Sequence, residues 1–152
     1  MILVLDTFPT SSVAKRPGKS PTLSDRCRQW VQDCEAAGHT VLIPAIAYYE
    51  ALRELEQRQA AAQAQRLRTF CLRPDRFIPL TTAHLETGAR RWGQARRGGR
   101  PTASDDALDG DVILAAQALS LVLAVSDYLV ATTNVGHLSR FVPADEWTNI
   151  TP

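Results

Sequence analysis

The chain has no long apolar run. Of its 152 residues, 45% are hydrophobic, but no uninterrupted stretch approaches the roughly 18 residues that a membrane-spanning helix needs. The first stretch, MILVLDTF, is too short for a signal peptide and carries an acid where a signal peptide carries basic residues. We therefore expect one globular domain over residues 1–152 that resides in the cytoplasm and does not enter a membrane.

Cysteine is scarce. The chain has three cysteines, Cys27, Cys34 and Cys71, without CxxC spacing and without a nearby pair of histidines. This pattern excludes a disulfide framework and a zinc site as organising features. We expect three reduced thiols on or near the core.

Missing residues also exclude three classes of protein that place an aspartate or a ligand after a first strand. A dinucleotide-binding domain needs a glycine-rich turn there, and TFPTS supplies none. A haloacid-dehalogenase phosphatase needs a second aspartate two residues after Asp6, where this chain has Phe8. A receiver domain needs a late lysine, and the only lysines are Lys15 and Lys19.

Strand-like and helix-like segments alternate along the chain. Short apolar runs of strand length are MILVL, HTVLIP, RFIPL and YLVATT, with WTNI as an edge strand. Segments with helical spacing or composition are 22–38, 45–73 with a break near 59–62, 81–99 and DVILAAQALSLVLA. This alternation predicts an α/β layer structure with a parallel sheet.

Two stretches are rich in residues that oppose regular structure. FPTSSVAKRPGKSP follows the first strand, and RPTASDDALDG precedes the last long helix. We predict a surface loop for each, so that the last long helix begins at Asp111.

Four polar side chains stand at the ends of apolar segments. They are Asp6 after MILVL, Glu50 in IPAIAYYE, Asp111 at the start of DVILAAQAL and Asn134 after VATT. An isolated carboxylate at the edge of an apolar layer costs several kcal/mol unless a cation or donors compensate its charge. Sites in parallel α/β sheets form beyond the carboxyl ends of strands, so the pattern predicts an acidic pocket that binds a hard divalent cation, Mg²⁺ or Mn²⁺.

The segments LVLDT, IPAIAYYEALREL, DGDVILAAQAL and VATTNVGHL, in that order, resemble the four motifs of the PIN-domain ribonucleases. The resemblance runs from about Met1 to Trp147 and is greatest to the VapC-like bacterial members. It implies a three-layer α/β/α sandwich with a central, mostly parallel sheet. It also implies a Mg²⁺- or Mn²⁺-dependent endoribonuclease, with Asp6, Glu50 and Asp111 as its catalytic, metal-binding acids.

The same resemblance implies partners. VapC-like members are toxins of type II toxin–antitoxin pairs, each inhibited by a small antitoxin whose segment occludes the cleft, and they are commonly homodimers. RNA is the substrate that the family implies.

The chain departs from the family at the fourth motif, where many relatives have an acid and this chain has Asn134 and His137. Asn134 then binds an ion directly or holds a ligating water, and His137 is either a proton donor or metal ligand, or a structural residue of a turn. Asp109 is the alternative to Asp111, because LDGD places two carboxylates around Gly110. We expect Asp111 to be the principal ligand and Asp109 to be a helix N-cap or an additional group near the metal.

Several residues are candidates for binding the substrate. Thr7 and Thr132, or Thr133, either hydrogen-bond a carboxylate or a substrate phosphate, or are ordinary strand-end hydroxyls. Arg53, three residues after Glu50, either orients that acid, touches the scissile phosphate or forms an ion pair within its helix.

The net charge is +1, but the charges are distributed unevenly along the chain, since five arginines fall between Arg90 and Arg100. This group, which includes Arg96 and Arg97, either neutralises RNA phosphates at the cleft mouth or forms an ordinary solvated helix face. The absence of an acid at Asn134 also leaves open a different function, a degenerate PIN-like module that binds RNA or protein without catalysis.

Overall fold

The computed structural model describes residues 1–98, 105–121 and 128–152, with only the backbone of 105–107. Its helices and strands are, in chain order, β1 (Ile2–Leu5), α1 (Thr7–Ser12), α2 (Leu23–Ala36), β2 (Thr40–Pro44), α3 (Ala45–Gln57), α4 (Ala61–Cys71), β3 (Phe77–Ile78), α5 (Thr82–Arg97), α6 (Asp105–Leu119), β4 (Tyr128–Thr132), α7 (Val135–Leu138), β5 (Ala144–Glu146) and a 3₁₀ turn (Trp147–Asn149).

The five strands form one parallel sheet in the order β3-β2-β1-β4-β5. In the register of the central strand, Ile2 lies between Thr40 of β2 and Tyr128 of β4. The chain adds strands on one side of β1 first and on the other side later, which makes the carboxyl ends of β1 and β4 a topological switch point. Helices cover both faces, so the predicted α/β/α sandwich with a parallel sheet is confirmed.

Alternate residues of β1 point into two cores, as the period of two of a strand requires. Leu3 and Leu5 pack against α2, where Trp30 is also buried, and against α3 and α4. Val4 packs on the other face against α6, with Leu114 as a neighbour. Each fully buried leucine or valine stabilises the fold by roughly 1.5–3 kcal/mol relative to an exposed one.

Helix α6 is apolar nearly all round because it packs on two sides. One side faces the sheet, and the other faces α5, where a Cβ at Gly88 would lie 3.6 Å from Cγ1 of Ile113. A buried helix was predicted here, and it is confirmed. The part of that prediction beyond Leu121 lies outside the described residues, as do Gly99 and Arg100.

Local signals place α2, and the break between α3 and α4, as predicted. Helix α2 begins at Thr22, whose hydroxyl accepts a hydrogen bond from the backbone N–H of Asp25 while the Asp25 carboxylate accepts one from the N–H of Thr22. The break between α3 and α4 falls at Gln59, which has a left-handed φ of 53°. The three cysteines are buried free thiols, as predicted.

The prediction of a loop directly after β1 is wrong, because α1 occupies Thr7–Ser12. The Asp6 carboxylate accepts a hydrogen bond from the N–H of Thr7 and caps this helix. Pro9 stands in the first turn, where a missing N–H costs little. The cap therefore outweighs the loop-like composition that follows it.

Two further boundaries were wrong. Helix α6 begins at Asp105 instead of Asp111, so the second half of the predicted loop RPTASDDALDG is helical. At the end of the chain, the edge strand is Ala144–Glu146, and the WTNI stretch forms a 3₁₀ turn instead. Within the described parts of the chain, no helix has the length and apolarity to cross a membrane.

Candidate active site

A cleft of about 220 Å³ opens at the carboxyl ends of β1 and β4. Residues that line it are Asp6, Thr7, Glu50, Gly110, Asp111, Leu114 and Asn134. The four polar residues that the sequence predicted at segment ends therefore meet in one place. A water molecule occupies roughly 30 Å³ of liquid, so this cleft has room for a hydrated ion.

Hydrogen bonds hold the backbone and both carboxylate oxygens of Asp6. Its N–H donates to the carbonyl of Ala131 at 3.0 Å. Its Oδ1 accepts from the N–H of Thr7 at 2.7 Å, and its Oδ2 accepts from the hydroxyl of Thr132 at 2.6 Å. Burial raises the pKa of Asp6, and the hydrogen bonds from Thr132 and Thr7 oppose that rise. Asp6 is thus both a helix cap and a buried acid of the cleft.

Glu50 enters the cleft from the second turn of α3. The hydroxyl of Thr7 donates to its Oε2 at 2.5 Å. Gly110 faces it closely, since a Cβ at that position would lie 2.7 Å from Oε1 of Glu50. Gly110 therefore leaves the space that the Glu50 carboxylate fills, a role that sequence reasoning missed although the glycine stands between two aspartates.

The start of α3 depends on a distant side chain. Pro44 precedes the helix and supplies no side-chain cap. The N–H of Ile46 instead donates to Oε1 of Gln117 at 3.2 Å, and Nε2 of Gln117 donates to the carbonyl of Ile78 at 2.7 Å. The fully buried Gln117 thus ties α6 to α3 and β3, and sequence reasoning missed it as well.

Asp111 is a second acid of the cleft whose charge is held in unfavourable surroundings. Its side chain is 14% exposed. Burial first, and then the nearby charge of Asp6, raise its pKa to about 6, while His137 lowers it and Glu50 raises it. Nδ1 of His137 lies 3.4 Å from Oδ2 of Asp111, but that oxygen is buried without a hydrogen-bond partner. Such an oxygen is a ready ligand for a cation.

Asn134 stands at the rim, directly before α7, and its side chain makes no cap hydrogen bond to that helix. Its backbone N–H donates to Oγ1 of Thr132 at 2.8 Å. Thr132 is buried and its hydroxyl donates a hydrogen bond to Asp6, so it orients a carboxylate and does not face the solvent. For Thr7 and Thr132 the sequence left open a bond to a carboxylate, a bond to a substrate phosphate, or no special role. In the structure, both hydroxyls donate a hydrogen bond to a carboxylate.

Asp109 lies elsewhere. It is exposed, and it lines a second groove, between α5 and α6, together with Trp92 and Leu85. It stands inside α6 and so is not the helix N-cap that the sequence predicted. The structure therefore separates the two acids of LDGD, with Asp111 in the cleft and Asp109 outside it.

The three arginines that the sequence proposed for the substrate lie on two helices. Arg53 on α3 is exposed, and its guanidinium carbon lies 5.6 Å from the ring centroid of Tyr49. On α5, the guanidinium carbon of Arg96 lies 5.2 Å from the ring centroid of Trp92, and the Arg97 side chain runs past Gly93. Only Arg53 shares a helix with a residue that lines the cleft.

The donor set fits a hydrated hard cation. Among the described residues, no three histidines, cysteines, aspartates or glutamates are placed so that together they could hold a metal ion. Mg²⁺, however, takes one or two carboxylates and keeps several waters. Three features match that requirement. One oxygen of Asp111 has no hydrogen-bond partner, the negative charges of Asp6 and Asp111 repel each other, and Asn134 contributes an amide.

No protein-family model matches the chain, and a search of curated proteins finds no match. Solved structures do match. VapBC-1 from nontypeable Haemophilus influenzae has a chain with a TM-score of 0.63 and 17% identity, over 97% of this chain and 99% of that one. VapBC2 from Rickettsia felis, bound to a DNA fragment from its promoter, has a chain with a TM-score of 0.66 and 14% identity. This match also covers 97% of this chain and 99% of that one. The likeness lies in the fold: this chain shares the α/β/α fold of those two chains, as its resemblance to the VapC-like members implied.

Proposed function

We propose that the protein is a metal-dependent endoribonuclease in which Asp6, Glu50 and Asp111 hold Mg²⁺ or Mn²⁺, with Asn134 as an auxiliary ligand. One observation carries the proposal. Three carboxylates and an amide, supplied by separate elements of the fold, line one cleft at the topological switch point. Structural ion pairs do not require such convergence, whereas metal-dependent phosphodiester hydrolysis uses it to hold the cation.

When bound, the cation supplies Lewis-acid stabilisation of the phosphodiester oxygens and lowers the pKa of a water. The protein's own residues prepare the site for it. The hydroxyls of Thr7 and Thr132 fix the Glu50 and Asp6 carboxylates, respectively. This prior alignment means that little reorganisation is needed when the substrate arrives.

A direct cleavage assay tests the proposal. Wild-type protein should cleave a short unstructured RNA in Mg²⁺ or Mn²⁺ and lose that activity in EDTA. Asp6→Asn should reduce cleavage at least about 100-fold, because the amide keeps the shape of the side chain but removes its charge. Asp33→Asn is the control, since Asp33 is an exposed acid of α2. Cleavage in EDTA, or full cleavage by folded Asp6→Asn, would contradict the mechanism.

The second candidate function is a degenerate PIN-like module that binds RNA or protein without cutting, and Asn134 at the rim is the observation that favours it. Calorimetric titration with Mg²⁺ and Mn²⁺ discriminates between the two. The nuclease proposal requires binding by the wild type and much weaker binding by Asp6→Asn and Asp111→Asn. Absent binding, or binding that neither substitution changes, would favour the degenerate module.

We further propose that the protein is the toxin of a type II toxin–antitoxin pair, works as a homodimer, and is inhibited by a small antitoxin that occludes the cleft. The support is that the two solved structures described above carry the name VapBC and that each match spans nearly all of this chain. Expression of the wild type should stop growth, and Asp6→Asn should not. Co-expression of a small protein encoded beside this gene should restore growth and co-purify with the Asp6→Asn protein. If the wild type is harmless at the same protein level, the toxin role is wrong.

A further inference from the structure

The two tyrosines that precede Glu50 have different surroundings. Tyr48 is partly buried, and its ring lies edge-on to Phe77 at 5.8 Å between centroids. Tyr49 is 56% exposed. Of the residues that the structure describes, Tyr49 is the one large hydrophobic side chain on α3 that is exposed. A core role explains Tyr48 but not Tyr49.

Helix geometry relates Tyr49 to Glu50, the residue of α3 that lines the cleft. With about 100° of rotation per residue, Arg53 lies roughly 60° around α3 from Glu50, and Tyr49 lies roughly 40° further on. The guanidinium of Arg53 contacts the Tyr49 ring, with 5.6 Å between its central carbon and the ring centroid. A carboxylate in the cleft, a cation and an aromatic ring therefore follow one another across the surface of α3.

This order of groups matches the chemistry of a nucleotide. A guanidinium binds phosphate oxygens through its planar set of donors. An exposed aromatic ring stacks on any nucleobase, because every base has a π-face. A base inside a duplex is already stacked on both sides, so the ring selects an unpaired base.

We propose that Tyr49 is a substrate-binding residue that stacks on an unpaired base of the RNA beside the cleft, with Arg53 holding the adjoining phosphate. The inference rests on the proposed nuclease function, and it specifies that the substrate is single-stranded at the site of cleavage. A contact with a second protein would need a broad apolar surface, and Arg53, one turn from Tyr49, places a charge on this face instead.

The test is a binding measurement that needs no cleavage. Asp6→Asn protein in Mg²⁺, and wild-type protein in EDTA, are titrated into a short RNA that carries the fluorescent base 2-aminopurine. Stacking on Tyr49 should quench the fluorescence. Tyr49→Phe should retain the quench, because it keeps the ring, and Tyr49→Leu should lose it and raise the Kd about 10-fold. Leu85→Ala is the control, since Leu85 is 47% exposed on α5, and it should change the Kd less than about 2-fold.

Each outcome bears on the proposal separately from the nuclease function. Equal quenching and Kd for Tyr49→Leu and the wild type would overturn the role of Tyr49, even if the wild type cleaves RNA. A wild type that quenches through Tyr49 but never cleaves would support the stacking role and refute the nuclease. Absence of RNA binding would overturn the stacking role. A change of oligomeric state in Tyr49→Leu, measured by sedimentation, would overturn it in favour of a contact with a second copy.

Discussion

Helix α6 borders two depressions that differ in chemistry. On one side lies the acidic cleft, about 220 Å³, which contains Gly110 and Asp111. On the other side lies the groove against α5, about 340 Å³, which Asp109 borders beside Trp92 and Val112. The groove is larger and mostly apolar, yet the cleft holds the buried charges. Size therefore does not identify the candidate active site, whereas unfavourable burial of like charges points to it.

The two acids owe their difference to helix geometry. Two residues correspond to about 200° of rotation, so Asp109 and Asp111 face opposite sides of α6. Asp111 is buried beside Asp6, which raises its pKa to about 6, whereas Asp109 is exposed. Two identical side chains in one short motif thus belong to different surfaces.

We expect the largest difference in RNA cleavage between substitutions of Asp111 and of Asp109. Asp111→Asn should reduce RNA cleavage at least about 100-fold, which corresponds to roughly 2.7 kcal/mol, because it removes a charge from the proposed metal site. Asp109→Asn should stay within about 2-fold of the wild type, since its carboxylate faces the other groove. The measurement is kcat/KM on one RNA in Mg²⁺ for both variants. Equal losses would show that the two sides of α6 do not differ in function.

The next largest effect is on the free energy of unfolding, through the side chain that bonds the cleft side of α6 to α3 and β3. Gln117, seven residues after Gly110 and on the same side of the helix, bonds to the N–H of Ile46 and the carbonyl of Ile78. Gln117→Leu should lower the free energy of unfolding by about 2 kcal/mol, because two buried polar groups lose their partner. Gln29→Leu is the matched control, as Gln29 is exposed on α2. Urea denaturation measures both, and a similar small change in both would remove the structural role of Gln117.

The sequence predicted the location of the site better than its internal contacts. Asp6 and Asn134 follow strands, and parallel strands bring their carboxyl ends to one edge of the sheet, so their meeting in the cleft was predictable. The hydrogen bonds of Gln117 were not, because its partners lie 71 and 39 residues away in the chain. A local pattern contains no information on such pairs.

The same limit explains the errors around the site. Asp6 was predicted to precede a loop, since composition does not reveal that its carboxylate caps α1. The start of α6 was placed at Asp111, because the acidic stretch before it resembles a loop although it is helical from Asp105. Intrinsic helix propensity is a weak guide where tertiary packing decides.

A smaller effect is expected from two glycines on opposite sides of α6, Gly110 within the helix and Gly88 on α5. Gly110→Ala should lower kcat about 10-fold, since the new Cβ would lie 2.7 Å from Oε1 of Glu50 and displace that carboxylate. Gly88→Ala, on the α5 side, should leave kcat unchanged, because its Cβ would meet its neighbours at an ordinary 3.6 Å. Both variants should be as stable as the wild type or up to about 1 kcal/mol more stable, as alanine favours a helix. A drop in stability that accompanies the loss of kcat in Gly110→Ala would refute the local explanation.

The smallest effect is a pH dependence confined to the cleft side of α6. The pKa of Asp111 is raised in the folded protein from 3.8 to about 6, so its contribution to stability is present in full below the unfolded pKa and is lost as the pH rises through about 6. In EDTA, the wild type should therefore be more stable at pH 5 than at pH 8 by about 1 kcal/mol, a value reduced for partial solvent screening. The raised pKa of Asp6 acts in the same direction.

Asp111→Asn should flatten this pH dependence, and Asp109→Asn should not, which makes urea denaturation at the two pH values the measurement. Saturating Mg²⁺ should reverse the trend in the wild type, because protons and the cation compete for the same carboxylates. If the metal-free wild type gains no stability on acidification, or if Asp109→Asn flattens the profile as much as Asp111→Asn, the electrostatic difference between the two sides of α6 is absent. The raised pKa of Asp111 would then not explain why a cation belongs in the cleft.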